Sequence, residues 1–241
     1  MKKQGDLCME AQRLNTVWKR NDRPVLQLTG VLPRFPDRKP LNAYYRRLER
    51  QLQDYCLKRL LPLLPEDAPV LTLRIGYETA FSSDRLLSIT CDLQRLFRGT
   101  EASEAVQQPG MPAARFAAVW DLPGGTPLPL KLFLRAGPGS LRQLLAAEAR
   151  SRLEAGQALY YPDCGTLARR CFSRDNFYIR EDGIVLFYPP LTLGPKAEGI
   201  PQFFFPWSES WLKSPEEAPQ RSCIAAPLRA IIPTSQKRRD R

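Results

Sequence analysis

The stretch Leu71–Leu93, LTLRIGYETAFSSDRLLSITCDL, alternates twice. Leu71, Leu73, Ile75 and Tyr77 are separated by Thr72, Arg74, Gly76 and Glu78. After the polar break SSDR, Leu87, Ile89, Cys91 and Leu93 are separated by Ser88, Thr90 and Asp92. Successive side chains of a strand point to opposite faces, so a period of two marks a half-buried strand. Two such runs joined by a short polar turn predict an antiparallel hairpin with one apolar face. That face needs a cover, and the flanking sequence supplies it.

Upstream, RPVLQLTGVLPRFP from Arg23 carries Leu26, Leu28, Val31 and Leu32 and predicts a strand ended by Pro33 and Pro36. In the following PLNAYYRRLERQLQDYCLKRLLPLL, apolar Leu41, Tyr44, Tyr45, Leu48, Leu52, Tyr55, Cys56 and Leu60 recur at helical spacing. Arg46, Arg47, Glu49, Arg50, Asp54 and Lys58 take the opposite face of this helix, with Asn42 as its expected cap and Pro62 and Pro65 as its stop. Downstream, RGTEASEAVQQPGMPA is polar and rich in Gly and Pro, a loop or internal boundary.

The second half opens with ARFAAVWDLPGGTPLPLKLFL, in which Phe116, Ala118, Trp120 and Leu122 share a face and Pro-Gly-Gly predicts a turn into a second strand through Leu128, Leu130 and Leu132. Ser140 is the expected cap of a helix striped by Leu141, Leu144, Leu145, Ala149 and Leu153 and stopped at Gly156. Then NFYIREDGIVLFYPPLTLGPKAEGIPQFFFPWSES, residues 176–210, predicts an aromatic hairpin turning at Glu181, Asp182 and Gly183, with Gly183 at positive φ, and a closing strand at QFFFPW. Between them lies a connector, Pro189 to Pro201.

These elements predict an α+β fold, an antiparallel sheet built from successive hairpins with two main helices packed on it. The expected division is an N-terminal strand–helix–hairpin half over 23–110, a C-terminal half over 111–213 and a loosely ordered basic tail over 214–241. At 241 residues, 43% hydrophobic and 10% aromatic, the chain has the composition of a folded protein with a sizeable core.

Composition also limits the chemistry. The sequence contains no histidine, which removes the usual general base and the commonest metal ligand, and with them Ser-His-Asp hydrolysis. The six cysteines form no Cys-x-x-Cys pair, so neither a zinc site nor a disulfide framework is expected. Cys164 and Cys171, beside Arg169 and Arg170, are read as connector or core thiols, a reactive pair being the rival reading. Adjacent carboxylates such as Glu181 and Asp182 belong to a turn and do not span a cleft as a glycosidase pair must. The glycines of PGG and AGPGS open no phosphate loop.

Lys and Arg outnumber Asp and Glu by 36 to 25, a net charge of +11 that attracts anions of any kind. Nucleic acid is the rival partner this charge suggests, but no nucleic-acid module is visible and the aromatics alternate along strands, where they pack. No apolar run reaches the length of a membrane span, and Gly5, Asp6, Glu10 and Arg13 interrupt the start where an export signal would be apolar, so a cytoplasmic location is expected.

The 176–210 stretch resembles the end of the domain shared by RsiV-type anti-sigma factors and PdaC-type peptidoglycan deacetylases. Phe177, Asp182, Gly183, Phe187, Tyr188, Gly199, Ile200, Pro201, Phe203 and Pro206 fit its pattern, and Asp121, Leu122, Gly125, Leu130 and Phe133 fit the upstream part. A Gly-Gly-Ala-His run usual in that family is replaced here by RLFRGTEASEA. The resemblance implies a bacterial, non-enzymatic binding or sensor-type domain that recognises a protein or cell-wall-related ligand and needs no cofactor or metal. In RsiV-type proteins that ligand is lysozyme, which a chain of +11 would repel over long range. The candidate binding residues are Tyr188, Pro189, Lys196 and Glu198, at and within the connector. The alternative reading is a basic binder of nucleic acid or another polyanion.

Overall fold

The computed structural model describes residues 8–65, 69–97, 111–135 and 137–217. Strands β1 (Glu10–Arg20), β2 (Arg23–Arg34), β3 (Leu71–Ser82), β4 (Leu86–Phe97), β5 (Met111–Asp121) and β6 (Thr126–Pro127) form one sheet in that order. A second sheet holds β7 (Phe177–Ile179), β8 (Gly183–Phe187) and β9 (Gln202–Pro206). Three helices, α1 (Lys39–Tyr55), α2 (Pro138–Glu154) and α3 (Cys164–Cys171), complete the α+β fold.

The Leu71–Leu93 hairpin forms as read, with Leu73 opposite Arg95 and Ile75 opposite Leu93. Its two faces differ in what covers them. Leu73, Ile75, Ile89, Cys91, Phe116 and Trp120 face α1, whose Leu41, Tyr45, Leu48 and Leu52 close the first core. On the other face Leu86 and Val119 meet α2, α3 and the second sheet in a second core containing Phe133, Leu145, Ile184, Tyr188 and Phe203. The period of two thus feeds two cores from one sheet. Polar atoms tie the layers together. The Trp120 indole donates to the Tyr45 hydroxyl at 3.3 Å, and the Ile179 N–H of β7 donates to the buried Ser88 Oγ of β4 at 3.1 Å.

Several local expectations change. The large sheet is mixed: β2 and β3 pair in parallel, Leu26 beside Leu71 and Leu28 beside Leu73, because α1 carries the chain back before β3 begins. A parallel pair requires a crossover of this kind, and a helix supplies it. β1 adds a hairpin to the edge of β2 through a two-residue turn at Asn21 and Asp22, both at positive φ (50° and 60°), the geometry of a type I′ turn. Asn42 lies within α1, whose N-cap is Arg38; its amide instead brackets the Phe35 backbone, accepting from the N–H at 2.8 Å and donating to the carbonyl. α2 likewise starts at Pro138, so Ser140 sits inside it. After Pro-Gly-Gly only Thr126–Pro127 pairs as a strand, and Leu130–Phe133 is a 3-10 turn. The boundary drawn between residues 110 and 111 falls between β4 and β5, which pair side by side. Beyond residue 217, the basic tail lies outside the described residues, as does the loop over 98–110.

Gly183 is required for a reason other than its expected positive φ. The positive-φ glycines among the described residues are Gly30, Gly125, Gly156 and Gly199. At Gly183 a Cβ would stand 2.2 Å from the Phe205 carbonyl oxygen and 2.7 Å from the Phe204 ring, so close approach of β9 demands the missing side chain.

Candidate functional site

The connector between β8 and β9 is held from below and at both ends. At its start Tyr188 is buried, and its hydroxyl donates to the Ala168 carbonyl of α3 at 2.9 Å while its N–H donates to the Pro201 carbonyl at 2.9 Å. Burial, ahead of the Coulomb field of Cys171, pushes the Tyr188 phenol up, so it stays a neutral donor. In the middle, Leu193 is buried in the second core and its carbonyl accepts the Tyr161 N–H at 2.7 Å. The segment over 157–163 therefore runs beside the connector.

At the far end, Gln202 opens β9 between two arginines. Arg115 of β5 grips Asp92 of β4 in a bidentate pair, at 2.7 and 2.6 Å, and donates a third hydrogen bond to the Gln202 Oε1 at 2.6 Å. Burial works against the Arg115 charge, but the Asp92 hydrogen bonds and charge outweigh it and the guanidinium is raised on balance. The Tyr178 hydroxyl also donates to the Gln202 Oε1 at 2.8 Å. Arg152 of α2 donates to the Gln202 carbonyl at 2.7 Å and lies 4.6 Å from the centre of the Phe203 ring.

On this fixed frame several of the exposed side chains are large and apolar. Leu191 is 60% exposed at φ 65°, and on the adjoining segment Leu159 is 61% and Tyr161 37% exposed. A β-carbon-bearing residue in the left-handed region costs about 1–2 kcal/mol, so the anchors on either side of Leu191 hold it there.

The sequence candidates divide accordingly. Tyr188 is a core anchor and Pro189 is half-buried beside it, whereas Lys196 is exposed. Glu198 is half-buried and its carboxylate accepts the Leu159 N–H at 2.7 Å, so it braces the neighbouring segment. Leu159, Tyr161 and Leu191 escaped the sequence reading, because Leu159 and Tyr161 flank the buried Tyr160 in a segment too short to show a period and Leu191 is turned outward by its positive φ. Cys164 and Cys171 occupy opposite ends of α3, about 10 Å apart along its axis, too far for a disulfide. Cys164 is buried, and loss of solvation raises its thiol. Glu181 and Asp182 lie exposed in the turn, Asp182 paired with Arg180 at 3.1 Å. Among the described residues, no three of Cys, Asp and Glu gather as a metal site and no helix is long and apolar enough to cross a membrane.

Two cores around a mixed sheet, with an anchored connector at the edge of a smaller sheet, define an α+β domain whose distinctive surface is a loop. The sequence pattern of the family described as "Protein of unknown function (DUF3298)" matches residues 142–208, from α2 through β9. A crystal structure of a DUF3298 family member from Bacteroides fragilis superposes with a TM-score of 0.56 at 17% identity, covering 88% of this chain and 96% of that one. A DUF3298 family protein from Pseudomonas aeruginosa gives 0.56 at 15% identity, covering 90% and 99%. At these identities the likeness establishes a common fold. No curated protein matches the sequence.

Proposed function

We propose that this chain is a non-enzymatic recognition domain, of the sensor type its RsiV-like sequence features suggest, that captures a partner protein through the connector over 189–201 and the segment over 157–163. The observation that carries this reading is Leu191, an exposed apolar side chain on a strained backbone within a loop anchored at Tyr188, Leu193, Glu198 and Gln202. Strain kept at an exposed position has no packing reward there, and a rigid loop that presents apolar groups loses little entropy on binding. Exposed leucines and a tyrosine suit a protein surface better than a polyhydroxylated glycan. The net charge of +11 favours a partner with an acidic patch over a cationic one.

Parallel affinity capture from lysate and cell-wall fractions, with the native chain and with the Leu159→Ser/Leu191→Ser and Lys196→Ala/Glu198→Ala variants, tests the proposal. A partner retained by the native chain and lost from the Leu159/Leu191 variant supports it. Identical capture by all three proteins removes the connector from consideration.

A further inference from the structure

The outward face of α1 is basic along its length. From Lys39 to Arg59, six of the ten exposed positions are cations, namely Lys39, Arg46, Arg47, Arg50, Lys58 and Arg59. The one exposed carboxylate, Asp54, pairs with Lys58 at 3.0 Å. Positions 39, 43, 46, 50, 54 and 57 follow one another at intervals of three and four, which places them along a single stripe.

The stripe ends in exposed leucines. After Tyr55 the helix widens into a π-helical turn over Cys56–Leu60, and Leu57, Lys58 and Arg59 all face solvent in succession. Leu57 is 48% exposed and Leu63, in the 3-10 turn that follows, is 77% exposed. Arg20 of β1 fixes this tip, donating to the Leu61 and Leu64 carbonyls at 3.0 and 2.8 Å. Leu57 and Leu63 are therefore presented by a braced turn beside two cations.

We infer that α1 and this tip form a second binding surface, which docks the domain on an anionic lipid bilayer. Cations along a helix face gather the negative surface potential of acidic headgroups, and leucines at the end of the stripe enter the boundary between headgroups and acyl chains. Phosphates of a nucleic acid would also meet the cations but would leave both leucines in water. The placement within the fold suits such docking. α1 covers one face of the large sheet, while Tyr188 and Leu193 of the connector belong to the core on the opposite face. A domain seated on α1 keeps its connector on the side away from the lipid. This surface is independent of the connector reading and is tested without any captured partner.

The test is co-sedimentation of the full chain with vesicles of phosphatidylcholine alone and of phosphatidylcholine mixed with phosphatidylglycerol. Binding is expected to the anionic vesicles only and to weaken with added salt. Reversing four charges (Arg46→Glu, Arg50→Glu, Lys58→Glu, Arg59→Glu) is expected to weaken it by at least several hundredfold, at roughly fivefold per cation near an acidic surface. Leu57→Ser/Leu63→Ser leaves every charge in place and is expected to weaken binding about a hundredfold, roughly tenfold for each leucine. Should the fourfold variant fold poorly by its urea midpoint, Arg46→Gln/Arg50→Gln makes the same comparison with a smaller effect. Absence of binding to anionic vesicles, or binding unchanged by these charge substitutions, overturns the inference. So does binding to duplex DNA at least as tight as to vesicles, with the leucine variant indistinguishable from the native chain, since that assigns the face to nucleic acid.

Discussion

Leu191 separates backbone strain from side-chain contact, and a pair of substitutions reads each one. Leu191→Ala and Leu191→Gly both delete the exposed isobutyl group, and they differ only in whether a Cβ remains at φ 65°. In an ordinary backbone region glycine is the worse residue by about 0.5–1 kcal/mol, through the entropy of the unfolded chain. In the left-handed region alanine carries a steric cost of about 1–2 kcal/mol that glycine escapes. The balance favours glycine by roughly 0.5–1 kcal/mol. For a domain of this size that corresponds to a melting temperature about 1–4 °C higher than that of the alanine variant. Differential scanning calorimetry or urea midpoints measured side by side read the difference. If Leu191 touches the partner, both variants bind more weakly by a similar factor of about ten, the contribution of one buried leucine side chain. An alanine variant as stable as the glycine variant, or more so, refutes the strain argument. Full capture by either variant refutes the contact.

Three further outcomes follow from the packing. Gly30→Ala would place a Cβ 1.8 Å from the Ile75 carbonyl oxygen on the paired strand, so the parallel β2–β3 junction cannot close and soluble expression should fall sharply; a variant with native stability contradicts the register. Tyr188→Phe removes one buried hydrogen bond to Ala168 and is expected to lower unfolding stability by about 1 kcal/mol while leaving partner capture intact, since the hydroxyl is an anchor. Burial pushes the Cys56 thiol from 9.0 up to about 12, and also raises Cys91, Tyr45 and Tyr188, so these groups are neutral in the folded protein where the unfolded chain would ionise. A raised folded-state pKa stabilises below the unfolded value, so unfolding stability should decline as pH rises from about 9 towards 12; a flat profile across that window would contradict the burial of these groups.

The sequence was most legible where one residue type repeats at one period against a single core. Leu71 to Leu93 and the α1 stripe of Leu41, Tyr45, Leu48 and Leu52 declared themselves because side-chain direction follows from period alone. β1 was harder, since among Leu14, Thr16 and Trp18 only Leu14 is fully buried and the strand lies at a sheet edge. Its one clear signal was the Asn21-Asp22 pair, a turn preference that alternation did not bring forward. α3 is eight residues long, so CGTLARRC offers too few turns for a periodic pattern and its helicity rests on packing against α2. Of the candidate site residues, sequence placed the connector correctly between two strands but could not sort Tyr188 from Lys196, because both stand beside prolines in a stretch without period.

Taken alone, the sequence determined the α+β class, the Leu71–Leu93 and aromatic hairpins, the two long helices and the absence of histidine chemistry, because these depend on neighbours within a few residues of one another. Tertiary structure alone decided that β2 and β3 run parallel and that one sheet serves two cores. It also decided that Gly183 yields to Phe205, and that Leu159 and Tyr161 lie beside Glu198 and Leu193 of the connector. Each of these is a meeting of segments tens of residues apart. Such contacts are set by excluded volume and by the pairing of buried polar groups across the fold, and neither is written in the local order of residues.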